Sequence, residues 1–343
     1  MLQPMLKPLL KPLLKPTLKW LGFRTLKIIM VTAILLIGIL ATPPKATATT
    51  FGPISRIYAF GDSYSDNRLS LEITTEAVDL EVPDSFILPA DPELGLYDPQ
   101  GRWSNGPTAV EILSENLQAD LVDYAVGGAK SGDGNYHNWL TDFQNTGVFG
   151  QVEQFTTDVT TDRNQGVDPE ALYFIFVSAN DLFRYVNSHL PGTVQELASQ
   201  VIRNIEQSII YLADLGANQF MVVNSSDLKV LPGAIQFGQA DVGGEFTDAF
   251  NRLLPVELAI LGQDLGIEIG LYDHVAISDE IRSHPSQYGL TNLSDPCQPI
   301  HPVQPVCTAP DQYYFWDEYH PTTHVHHIIG EDMARFVQAH RVF

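Results

Sequence analysis

The sequence predicts an α/β protein: a three-layer α/β/α sandwich around a five-stranded parallel sheet. Three observations carry that expectation. Five short apolar runs contain no proline, at 55–60, 121–126, 171–178, 219–224 and 268–272, as strands buried on both faces should. Helical stretches separate them, at 107–117, 194–215 and 245–265, with a last one at 322–337. The 343 residues are 44% hydrophobic, enough for one large domain with its own core.

Residues 1–48 stand apart and read as a leader, with a single domain over 49–343. Leu-Lys-Pro recurs at 6–8, 10–12 and 14–16, and proline every fourth residue prevents an ordinary helix. The apolar run 28–41 suits the core of a signal peptide and is short of the ~20 residues that span a bilayer. Ala46-Thr47-Ala48 offers small residues for cleavage after Ala48. The expected destination is secreted or periplasmic, with no stable membrane span after cleavage; an uncleaved N-terminal anchor is the alternative.

The leader holds seven cations and no acids, so removing it takes the net charge from −22 to −29. So acidic a surface repels nucleic acid and anionic membranes. It leaves room for lipid substrates held by apolar contact.

The first strand runs into Phe60-Gly61-Asp62-Ser63-Tyr64-Ser65-Asp66. A Gly-Asp-Ser turn there lifts the Ser63 hydroxyl to the sheet rim where open α/β sheets place their sites. The tripeptide alone is equally an ordinary turn. Residues 68–100, rich in acids and proline, follow. A solvated excursion is the favoured reading, a cleft wall or lid the sharper one. In Gly101-Arg102-Trp103-Ser104-Asn105-Gly106-Pro107, Ser104 or Asn105 is placed to cap the helix that Pro107 enters, and Trp103 is a candidate wall residue.

The second strand ends in Gly127-Gly128. Glycine lets a backbone N–H approach an anion, and register favours Gly128 over Gly127. The third strand ends in Val177-Ser178-Ala179-Asn180-Asp181, putting the Asn180 amide on the same rim as Ser63. An amide donates without titrating, which suits a developing oxyanion; the plain alternative is a helix cap. In the helical stretch 194–215, Leu197, Val201, Ile205, Ile209 and Leu212 fall on one face.

Only two cysteines occur, Cys297 and Cys307, bracketing a proline-rich loop. A disulfide there fits an oxidising compartment. Two free thiols are the alternative, and a zinc site with His301 matches no common spacing.

The chain then reaches Phe315-Trp316-Asp317-Glu318-Tyr319-His320-Pro321-Thr322. His320 can take a proton from serine and return it to a leaving group. Asp317, three residues earlier, can reach the same imidazole, and Pro321 can open the following helix. His324, His326 and His327 invite a metal reading, but the zincin pattern needs Glu after the first His, and here Pro321 follows His320.

Taken together, the blocks at 58–66, 101–107, 123–129, 177–181 and 315–321 resemble the GDSL esterase/lipase family, also called SGNH hydrolases. The resemblance implies a flavodoxin-like strand order and an ester hydrolase without cofactor or metal. It implies Ser63, His320 and Asp317 as catalytic residues. The oxyanion donors would be the Ser63 and Gly128 amides and the Asn180 side chain. Two positions depart from the family pattern: Asp123 stands where Asn is usual, and Ser178 where Gly is usual. The substrate class that the resemblance implies is a lipid or small acyl ester. A carbohydrate O-acetyl esterase acting on an acetylated glycan is the alternative, and a non-catalytic binding protein a further one.

Overall fold

The structure is a computed structural model that describes residues 50–161 and 167–341. The leader expected over 1–48 lies outside the described residues. Ala48–Phe343 separates as one compact unit.

Five parallel strands form the central sheet: β1 (Arg56–Gly61), β2 (Asp120–Asp123), β3 (Ala171–Phe176), β4 (Gln219–Val223) and β5 (Glu268–Tyr272). Their order is β2-β1-β3-β4-β5, the flavodoxin-like order. All five lie within the expected apolar runs, apart from one-residue differences at two ends. β2 is formally shorter than 121–126, yet the amides of Tyr124 and Val126 still bond the carbonyls of Ala59 and Gly61. A small two-stranded sheet, β6 (Asn292–Pro296) with β7 (Tyr313–Phe315), was not anticipated.

Helices cover both faces. On one, Ala109–Leu117 packs against Thr323–Ala339; on the other, Val148–Thr161 and Ala240–Leu265 flank Val194–Leu215. The first pair approaches closely at Gly330, where a Cβ would collide with Ile112 and the Ala109 carbonyl. β1 and β3 are buried almost throughout, and Phe60 stacks on Tyr124 with centroids 5.5 Å apart.

Val194–Leu215 has the expected boundaries because both ends are written locally. Thr193 and Glu196 form a reciprocal capping box, and Gly216 closes the helix at φ 115°. Ala240–Leu265 begins five residues before the expected 245, since Gln239 supplies no side-chain cap to mark its start. Six helices among the described residues went unanticipated: Leu69–Asp79, Asn138–Phe143, Val148–Thr161, Ala179–Asn187, Pro232–Gln236 and His274–Ser283.

β1 and β3 pair as far as Gly61↔Phe176. The chain leaves β1 toward β2 on one side, while β3 lies on the other. The crevice between the two C-terminal ends is therefore a topological switch point. Ser63 follows β1 and Asn180 follows β3, so they flank that crevice. Among the described residues no helix is long and apolar enough to cross a membrane.

Candidate active site

Three side chains from opposite ends of the sequence meet at this crevice. His320 Nε2 lies 2.8 Å from Ser63 Oγ. On its far side, Nδ1 lies 2.7 Å from Asp317 Oδ2 and 2.9 Å from Oδ1. All three residues are buried, with Ser63 8% and His320 7% exposed. With Nδ1–H donating to Asp317, Nε2 is an acceptor for the serine proton.

The imidazole is clamped by rings. Trp103 lies 5.3 Å from it and Tyr64 5.8 Å, centroid to centroid. Burial alone would push the Asp317 carboxyl up. The adjacent His320 ring, the Tyr97 hydroxyl and the Tyr319 amide outweigh burial and hold it below the usual carboxylate range.

Asp66, reached through the same turn as Ser63, organises the neighbouring loops. It accepts from the amides of Arg68, Ser70 and Gly127 and from Trp103 Nε1. The two glycines differ in their partners. The Gly127 amide is taken by Asp66 and Ser70 Oγ, and a Cβ there would strike Trp103. Gly128 sits at φ 78° on the pocket wall, in a conformation that favours glycine. The amides of Ser63 and Gly128 make no hydrogen bond among the described residues. Asn180 Nδ2 donates to the Ala129 carbonyl at 3.1 Å and loosely to Asp62 Oδ2 at 3.4 Å. Burial pushes the Asp62 carboxyl up to about 7.

The two departures from the family pattern have structural consequences of different size. Ser178 is accommodated without strain, its hydroxyl turned toward Ser225 Oγ at 3.1 Å. Asp123 is costlier. Oδ1 accepts from the Ala125 amide, while Oδ2 is buried without a partner. Burial, with the Asp66 carboxylate close by, pushes Asp123 well above the usual carboxylate range. A carboxyl raised in the folded state stabilises the fold only while protonated, and that stability drains away as pH rises through its folded value. Asp123→Asn should therefore raise the thermal midpoint at pH 8 and leave it unchanged near pH 4. Each kcal/mol relieved is worth about 2–4 °C in a domain of this general size. Differential scanning fluorimetry at the two pH values checks it.

Neither Ser104 nor Asn105 caps the helix expected of them. Thr108 and Glu111 cap Ala109–Leu117. Asn105 Oδ1 instead accepts from the Thr323 amide, and Ser104 Oγ donates to the Pro321 carbonyl, tying this loop to the one that carries His320. Trp103 is a wall residue, as read. The histidines after His320 are engaged separately. His324 Nε2 donates to the Tyr288 carbonyl, His326 Nδ1 accepts from the Ala109 amide, and His327 pairs with Glu331 on the surface.

Residues 68–100 overturn the favoured reading of a solvated excursion. They begin with the helix Leu69–Asp79, whose buried Ser70 and Thr74 anchor it to Asp66 and to Leu88. Phe86, Leu88, Pro89 and Tyr97 then line a cavity of about 800 Å³ that opens over Ser63. Phe183, Leu228, Leu231, Phe237 and Ile300 line it as well. Cys297 and Cys307 are bonded, as expected, closing the loop that carries Ile300. Sequence reasoning missed Tyr97, whose hydroxyl donates to Asp317 Oδ2 at 2.6 Å, and Glu318, which is buried and accepts from the amides of Ile300 and His301. Neither carries a local signal, since both act across the fold.

Fold and site together define a carboxylic ester hydrolase. The family model described as GDSL-like Lipase/Acylhydrolase matches residues 57–333, and the chain belongs to that family. It is 27% identical over 298 residues to the thermolabile hemolysin of Vibrio parahaemolyticus serotype O3:K6, spanning 82% of this chain but only 63% of that protein. It is 21% identical over 335 residues to GDSL esterase/lipase 6 of Arabidopsis thaliana, across 85% of this chain and 90% of that one. Among solved structures, an aryl esterase of M. smegmatis aligns at a TM-score of 0.44 and 13% identity, across 83% of this chain and 99% of that one.

Proposed function

We propose that this chain is an exported serine esterase that cleaves carboxylic esters with apolar acyl chains through an acyl-enzyme. The observation that carries it is the continuous line Ser63 Oγ–His320–Asp317, with bonds of 2.8 and 2.7 Å, at the mouth of a mostly apolar cavity. His320 takes the Ser63 proton as Oγ attacks the ester carbonyl. The Ser63 and Gly128 amides and the Asn180 side chain receive the oxyanion. His320 then gives its proton to the departing alcohol. Water, deprotonated by the same ring, attacks the acyl-enzyme and restores Ser63. The Cys297–Cys307 bond supports an oxidising compartment and so export.

The cavity supports the acyl preference. An acetyl group would leave most of 800 Å³ unfilled. Each methylene buried against Phe86, Leu88 or Leu231 is worth ~0.8 kcal/mol, about fourfold in kcat/KM. An acetylated glycan is the second reading, favoured by the aromatic faces of Trp103, Tyr136 and Tyr319 in the same cavity. Para-nitrophenyl acetate, butyrate, octanoate and laurate separate the two. Octanoate should exceed acetate at least tenfold in kcat/KM, with Ser63→Ala as the blank. A maximum at acetate would overturn the acyl assignment.

A further inference from the structure

We propose that Tyr97 is a positioning residue: it ties the cavity wall formed by residues 86–97 to Asp317, so that the seating of that wall sets the aim of the His320 ring. This rests on the catalytic reading above. Asp317 divides its contacts unevenly. Oδ1 accepts from the amides of Tyr319 and His320, both at 2.7 Å, and lies 2.9 Å from His320 Nδ1, all within its own loop. Oδ2 has two partners among the described residues, His320 Nδ1 at 2.7 Å and the Tyr97 hydroxyl at 2.6 Å. Both oxygens reach the imidazole, but only Oδ2 joins it to a residue 220 positions away.

A second bond fixes the same segment from the same loop, since Trp316 Nε1 donates to the Leu96 carbonyl at 3.1 Å. The Tyr97 ring also packs near Trp103, which packs on His320. Burial and the Asp317 charge push the Tyr97 hydroxyl well up, so it remains a donor at any working pH. The adjacent Glu318 grips the amides of Ile300 and His301, which line the same cavity. Two consecutive carboxylates therefore hold two separate lining segments of one cavity, and the first also orients the base. A substrate chain pressing Phe86 and Leu88 bears on the segment that ends at Tyr97.

A bond that only satisfied a buried carboxylate would matter to stability and not to turnover. Tyr97→Phe keeps the ring and removes one hydroxyl. On para-nitrophenyl butyrate, kcat should fall about tenfold while KM stays within about twofold, the signature of a lost charge-assisted hydrogen bond felt at the base. The low-field proton resonance of His320 Nδ1 should move further downfield as Asp317 loses its other donor. Sites are counted by labelling with a serine-directed phosphonate, well below the thermal midpoint of each variant. A kcat within twofold of the parent, or a loss confined to KM, overturns the proposal. If the parent itself takes no phosphonate, it is the catalytic reading beneath that has failed.

Discussion

Ser63→Ala is expected to abolish ester hydrolysis, lowering kcat by on the order of 10⁴–10⁶-fold, and His320→Ala should do the same. In the first variant the imidazole has no hydroxyl to deprotonate. In the second the hydroxyl has no base within reach, because Oγ bonds to His320 Nε2 and to nothing else recorded among the described residues. The residual rate belongs to the oxyanion donors and to substrate binding, which both variants keep. Removing both side chains should cost little more than removing one, since they act as a unit. Ser63→Ala opens no large void and strands no charge, so its thermal midpoint should stay within a few degrees of the parent; His320→Ala takes a partner from the buried Asp317 carboxylate and should melt lower. Phosphonate labelling should disappear in Ser63→Ala together with turnover. Hydrolysis retained in either variant would place the nucleophile or the base elsewhere.

Much of this machinery is legible from sequence because its parts sit next to strand ends. Ser63, Gly128 and Asn180 each follow an apolar run whose burial puts its C-terminal end at the rim. Asp317 and His320 share one short loop. The parallel sheet was legible for the same reason: β1 and β3 are buried along their length and read as unbroken apolar runs. What sequence hides is which loop meets which. Residues 68–100 look solvated by composition, because acids and prolines dominate. Yet the few residues that matter there, Phe86, Leu88 and Tyr97, are separated by exposed ones and show no period. Asn105 carries a real capping signal, but the amide it takes is that of Thr323, more than two hundred residues on, at the start of a helix whose N-cap is Thr322. Local chemistry told that a cap existed and could not tell whose it was. In the glycine pair, the Asp66 carboxylate occupies the Gly127 amide, while the Gly128 amide makes no hydrogen bond among the described residues.

Asp317→Asn tests whether the acid sets the tautomer of the base or only its place. The backbone leaves the new amide little choice. Its oxygen must face the amides of Tyr319 and His320, which donate to Oδ1 in the parent, both at 2.7 Å. Its NH₂ then faces His320 Nδ1 and the Tyr97 hydroxyl, where Oδ2 stood. Nδ1 also lies 2.9 Å from the Oδ1 position, but an NH₂ at the closer Oδ2 position, 2.7 Å away, would set donor against donor, so Nδ1 turns acceptor and the ring proton moves to Nε2. Nε2 then donates to Ser63 Oγ and can no longer take its proton. A loss of about 10⁴-fold in kcat is expected, although shape and volume barely change. The stability effect has a definite sign. Asp317 is held below the usual carboxylate range, so its contribution is present above the unfolded-state value and fades as pH falls through the folded one. The variant's thermal midpoint should therefore lie below the parent's at pH 7 and converge with it in strong acid. Turnover and melting measured on the same samples separate the two effects. A kcat within tenfold of the parent would mean that the imidazole keeps its working tautomer without this carboxylate, and that some other acceptor holds Nδ1–H.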